Sequence, residues 1–175
     1  MAEKVEFGDG YVFPKEVHNM LVGAQSAHIQ LTSIADSKAG ILMGASFVVF
    51  SLTVGNLGTP TLSFPLLVLA AFSFTAALLS VLAILPSIKI RSQVRAPNWL
   101  FFGAFSRLGE DEFVDKLVGA MRSEEQVYRI MARDLYQNGM VLQRRKYRYL
   151  GLAYLTFLAG MIGTLVAFLA QRLLG

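Results

Sequence analysis

The sequence predicts an all-α membrane protein, with three transmembrane helices and a cytoplasmic helical bundle continuous with them. Three observations predict it. Residues 39–88 contain no Asp, Glu, Lys, Arg or His, and one helical crossing of a bilayer takes about 20 residues. Residues 150–170 form a second charge-free run. Of the whole chain, 54% is hydrophobic and only 16% charged, against about 45–50% and about 25% in an ordinary soluble domain.

The elements follow in order. Residues 1–38 form a cytoplasmic arm and helix. The arm, up to Phe13, has Gly8-Asp9-Gly10 as its turn signal. It has no basic region followed by an apolar one, so it does not read as a signal peptide. Pro14 suits the first turn of a helix. Val17, Leu21, Ala24, His28, Leu31 and Ala35 then recur at steps of four and three, a heptad-like seam. Nothing between Lys15 and Gly40 stops this helix, so it is expected to run into the first span.

Residues 39–85 hold two transmembrane helices, about Ala39 to Val54 and Leu62 to Leu85, joined by the hairpin Gly55-Asn56-Leu57-Gly58-Thr59-Pro60. Gly40, Gly44, Ala45, Ser46 and Ser51 in the first, and Ala70, Ala71, Ser73, Ala76, Ala77 and Ser80 in the second, are small residues that let helices approach closely in lipid. Pro86 ends the second span.

Residues 86–149 form a cytoplasmic loop and helices. Lys89, Arg91 and Arg95 come first, then the aromatic loop Pro97-Asn98-Trp99-Leu100-Phe101-Phe102-Gly103. This loop lies either in the headgroup layer or over the cytosolic bundle. Glu110, Asp111 and Glu112 open a short helix, acidic where the dipole prefers, which ends near Arg122. Ser123-Glu124-Glu125-Gln126 is a capping-box pattern. It starts a long helix with the seam Tyr128, Met131, Leu135, Asn138, Leu142, Arg145, Tyr149 and Leu152. Residues 150–175 are the third transmembrane helix and a short tail, with a small-residue face at Ala159, Gly163 and Ala167.

Charge sets the expected topology. Lys38, Lys89, Arg91, Arg95 and the cluster Arg144, Arg145, Lys146 and Arg148 all fall on one side of three spans. Basic residues mark the cytoplasmic side, so the N-terminus is expected inside and the C-terminus outside. The net charge of +4 is thereby explained by orientation, and nucleic acid is not expected as a partner.

Composition and motifs exclude several chemistries. There is no cysteine, hence no disulfide framework and no thiolate nucleophile. His18 and His28 stand too far apart for a helical two-histidine metal site. No phosphate loop, nucleophile elbow or zinc-protease motif occurs. The chain is read as not an enzyme, with no metal and no cofactor. Glu110, Asp111, Glu112 and Asp115 read as a solvated helix start.

The polar residues on the seams each carry two readings. His28 and Asn138 either fix helix register by hydrogen bonds, as buried polar seam residues do, or line a polar pocket together with Arg145. Lys38 either snorkels at the interface, with Asp36 paired to a nearby base, or takes part in coupling. Arg144, Arg145 and Lys146 either orient the helix or hold a phosphate, and anionic lipid headgroups suit both.

Several stretches resemble a known family. His28-Ile-Gln-Leu-Thr-Ser-Ile-Ala-Asp-Ser-Lys-Ala-Gly-Ile-Leu running into a span is similar to the Ala-Asp-x-Lys-Ala stretch of the Pycsar transmembrane effectors, the PycTM family. Pro97-Asn98-x-x-Phe101-Phe102-Gly103, followed by Glu112-Phe113, resembles that family's middle segment, and Lys146-Tyr147 its Lys-Tyr signature. The resemblance covers about His18 to Ala170. Arg144-Arg145 departs from the more apolar residues usual before Lys-Tyr. The resemblance implies an antiphage effector. A partner pyrimidine cyclase makes cUMP or cCMP, the effector senses that activating ligand, and the inner membrane loses integrity. On this reading His28, Asp36, Lys38, Asn138, Arg145 and Lys146 serve ligand binding or coupling. The partners are the lipid bilayer, the cyclic nucleotide and further copies of the chain in a homo-oligomer. The alternative is a small membrane scaffold or anchor whose cytoplasmic helices dock a protein without ligand.

Overall fold

The computed structural model describes residues 13–56, 64–85, 99–100, 105–106 and 108–174. Among them there are helices and no strand. The turn at Gly8-Asp9-Gly10, most of the span hairpin, Pro86, Lys89, Arg91, Arg95, and Pro97, Asn98 and 101–103 of the aromatic loop lie outside the described residues.

Helix α1 covers Lys15–Gly55, 41 residues without a break, about 60 Å at 1.5 Å per residue. The seam helix therefore does continue into the first span. After Pro14 no proline interrupts this stretch before Gly55. There Asn56 closes the end, its Nδ2 donating to the Leu52 carbonyl at 2.7 Å. Helix α2 covers Phe64–Ile84, with Pro65 in the first turn, where a missing N–H costs nothing.

Helix α3 covers Glu110–Met121, with Glu110, Asp111 and Glu112 in its first turn and Arg122 at its C-cap. Helix α4 covers Glu124–Val141. Half of the expected capping box is present. The Gln126 N–H donates to Ser123 Oγ at 3.4 Å, while the Ser123 N–H is taken by the Ala120 carbonyl. A π-helical turn, Leu142–Tyr147, follows α4 directly. Helix α5, Arg148–Leu174, continues from it.

Three helical stretches are long and apolar enough to cross a membrane: α1, α2, and the run from α4 through α5. The chain divides into two compact units. One comprises Met1–His28 and Ile88–Asn138, the other Ile29–Ser87 and Gly139–Gly175.

The second unit is built inside out relative to a soluble domain. Most of its buried residues are small: Ala35, Ala39, Ser46 and Thr53 on α1, Ala70, Ser73, Ala76, Ser80 and Ala83 on α2, and Ala153 and Gly160 on α5, with Leu42, Leu142 and Leu150 the large apolar exceptions. Its large apolar residues point outward, among them Phe47, Leu52, Phe74, Leu155, Ile162 and Leu165. Lipid is as apolar as leucine, so large side chains gain nothing by turning inward, and close approach through small ones holds the helices together. Hydroxyls in the spans return to their own helix: Thr53 to Val49, Ser80 to Ala76 and Thr164 to Gly160.

The expected third-span face holds at Gly163 and Ala167, which are half-buried, but Ala159 is exposed and Gly160 is the buried glycine pressed against α2. A Cβ added there would overlap the Cβ of Phe72, whereas one at Gly163 would stand 3.6 Å from Val68.

The first unit is held more sparsely. Among its described residues only Leu21 and Asp134 are buried, and α3 buries none. The ring of Phe13 packs on Tyr128 at 4.7 Å between centroids. Trp99 and Phe105 both lie on α3, through Lys116 and Phe113 respectively. Those two residues thus favour the bundle-covering reading of the aromatic loop.

Candidate functional site

The seam read from the sequence continues smoothly through Leu142, Arg145, Tyr149 and Leu152. The structure follows it to Leu142, which is buried, and then departs. Arg145 and Tyr149 are half-buried, and Tyr149 packs on the cluster of Ala35, Ala39, Ala83 and Leu150, but the fully buried residues are Leu150 and Ala153, while Leu152 is exposed. The π-helical turn is the cause. It takes an extra residue per turn, since its bonds run i to i+5, so the inward face moves on by one position. Basic residues crowd this turn, with Arg144, Arg145 and Lys146 all inside it.

The shift turns Lys146 inward, where it meets α1. Its Nζ donates to both carboxylate oxygens of Asp36, at 2.7 and 2.6 Å. The lysine side chain is 17% exposed and the aspartate 38%. Ala35, beside Asp36 in sequence, belongs to a buried cluster with Ala39, Ala83 and Leu150. The lysine is mostly buried while water still reaches the aspartate, so the pair is partly screened, and a carboxylate left without its base keeps part of its desolvation cost uncompensated. The pair therefore fixes the register of α1 against the π turn. In this arrangement the Lys146 ammonium is paired with the Asp36 carboxylate. Lys38 is exposed, as is Arg144, and Arg145 is half-buried. Of the six residues singled out in the sequence, this unit holds four, and it brings two of them, Asp36 and Lys146, into direct contact.

His28 and Asn138 belong to the first unit. Both are half-buried. The His28 Nδ1 is shut off from solvent and has no hydrogen-bond partner. One turn before these residues lies a contact that sequence reasoning missed. The Gln25 Nε2 donates to Asp134 Oδ2 at 3.2 Å, and Asp134 is only 7% exposed. A buried carboxylate demands donors, and the Gln25 amide supplies one. Helical periodicity held the clue: Gln25 precedes His28 by three residues and Asp134 precedes Asn138 by four, the spacings that share a helix face. The two helices thus carry a polar stripe each, Gln25 and His28 on α1, Asp134 and Asn138 on α4.

Among the described residues no group of His, Cys, Asp or Glu is arranged to hold a metal ion. The elements and the inside-out packing define a helical integral membrane protein with an ionic latch between its first helix and a π turn. A family model described as a Pycsar effector protein domain matches residues 20–171, and the chain belongs to that family of antiphage defence effectors. No curated protein and no solved structure matches it.

Proposed function

We propose that the chain senses a cyclic pyrimidine mononucleotide, cUMP or cCMP, made by a partner cyclase, and then impairs the integrity of the bacterial inner membrane. The infected cell dies before the phage matures. The observation that supports this reading most is the family match over residues 20–171 on a chain with three helices able to span a bilayer. No catalysis is assigned to it. The N-terminus and the first unit face the cytoplasm, where a nucleotide is made, and the C-terminus faces the periplasm.

The physical route is a population shift. A ligand that prefers one arrangement of a two-state protein moves it by the difference in affinity. The first unit has few buried residues, the mark of a region that opens at low cost. Its helices α1 and α4 run on, without a break in the chain, into α1's span and the π turn. Ala39, Ala76 and Ala153, one in each span, are fully buried, so the spans of one copy pack closely around small residues. A lesion therefore requires several copies, and we assign the active form to a homo-oligomer.

Purified protein in vesicles loaded with a self-quenched dye tests the function. Release on adding cUMP or cCMP, and none with cAMP or cGMP, is the expected result. Intact vesicles with every nucleotide, from protein that is folded and inserted, would overturn it in favour of a scaffold that docks a protein partner. Crosslinking tests the assembly, with multimers expected in the presence of the active nucleotide.

A further inference from the structure

In the first unit, α3, α4 and Trp99 surround a cavity of about 510 Å³, within the range of about 300–1,000 Å³ usual for small-ligand sites. Trp99, Lys116, Gly119, Gln126, Arg129 and Arg133 are among the residues that line it. Its chemistry is specific. The Lys116 ammonium stands 5.5 Å from the centre of the Trp99 ring, inside the reach of a cation–π contact of about 6 Å. Lys116 also pairs with Glu112, and Arg129 with Glu125 at 2.5 Å, both one turn away on their own helices. Such pairs, a third or more open to water and one turn apart, are weak, since water screens them and two long side chains must be ordered. A stronger anion can recruit both cations. Arg133 is exposed and has no carboxylate partner among the described residues. The cavity thus combines one flat aromatic plane, three cations and a neutral amide.

We infer that this cavity is the nucleotide site, taking a cyclic mononucleotide with its base against the Trp99 indole and its phosphate among Lys116, Arg129 and Arg133. This rests on the nucleotide-sensing reading above and gives it a place. Bases stack on aromatic side chains whatever their identity, and guanidinium forks match phosphate oxygens in pairs. Gln126 carries both a donor and an acceptor, so it is the side chain able to read a base edge. Asp36 and Lys146 belong to the second unit and on this reading serve to couple and not to bind.

The chain contains a single tryptophan, so its intrinsic emission reports on this cavity alone. Full-length protein in detergent is titrated with cUMP and cCMP separately, by calorimetry and by Trp99 emission together. For one of them, the two isotherms are expected to coincide. Arg133→Gln and Gly119→Leu are expected to weaken binding by about 10- to 100-fold, the worth of one charge-assisted contact. Both variants keep the fold: Arg133 is exposed, and a Cβ at Gly119 meets nothing within 4 Å. Calorimetric binding with silent emission, and with both variants at wild-type affinity, would move the site elsewhere while the sensing reading stands. An emission change produced equally by inorganic phosphate at the same concentration would also overturn the site. Folded protein that binds neither nucleotide by either method would end both the site and the reading. Should a variant elute differently from wild type, the comparison of wild-type isotherms decides.

Discussion

At the scale of single residues, Lys146 and Gly160 carry the most consequence for the least bulk. Lys146→Met leaves the Asp36 carboxylate half-buried without its base, and about 1–3 kcal/mol of stability is expected to go with it. Thermal unfolding in detergent measures this as a lowered Tm. The double reversal Asp36→Lys with Lys146→Asp is expected to recover part of the loss, because the charges again oppose one another. Gly160 is the place where α5 and α2 come nearest. Gly160→Ala drives a Cβ into the Cβ of Phe72, which no rotamer can relieve, so the helices must separate at a cost of about 1–3 kcal/mol. Gly163→Ala, with its neighbour at 3.6 Å, is expected to stay within about 0.5 kcal/mol of wild type. If the two alanine variants melt together, the close approach at Gly160 is wrong.

At the scale of elements, the π turn decides which side chains face inward. Deleting Gln143 removes the extra residue and lets Leu142–Tyr147 close as ordinary α-helix. The face beyond it then rotates back by one position, taking Lys146 from Asp36 and Leu150 and Ala153 from their packing. The expected outcome is protein that still inserts but melts early and no longer responds to the activating nucleotide. A deletion variant with wild-type Tm and response would show that the turn has no bearing on register. The sequence seam holds to Leu142 and in part at Arg145 and Tyr149, which are half-buried, but the deepest positions then move on by one, to Leu150 and Ala153, and Leu152 is exposed, for a plain reason. Periodicity arguments assume a constant number of residues per turn, and nothing in Leu142-Gln-Arg-Arg-Lys-Tyr announces a change. The same slip of one residue separates the expected Ala159 from the observed Gly160. The short helix α3 and the start of α4 were legible because acidic first turns and a serine cap are local signals.

At the scale of the whole molecule, the prediction concerns sidedness. The native chain has no cysteine, so single cysteines report without background. His18→Cys, on an exposed position of α1, is expected to resist a membrane-impermeant thiol reagent in intact cells and to react after lysis. Leu173→Cys, near the other end, is expected to react from outside. Labelling of the first and protection of the second would invert the assigned topology and put the nucleotide cavity on the wrong side of the membrane from any cytoplasmic cyclase.

The sequence by itself determined that this protein is helical, that three of its helical stretches are long and apolar enough to cross a membrane, and the family to which it belongs. These rest on composition and local pattern: long charge-free runs, turn residues between them, caps, and short motifs in order. It also singled out Asp36 and Lys146 individually. Only the tertiary structure decided that they meet, since the partners stand 110 residues apart and no local period links them. Only the structure buried Asp134 under Gln25, advanced the inward face by a π turn, and drew Trp99, Lys116 and Arg133 around one cavity. Local propensity acts along the chain, whereas pairing and enclosure depend on where distant helices come to rest.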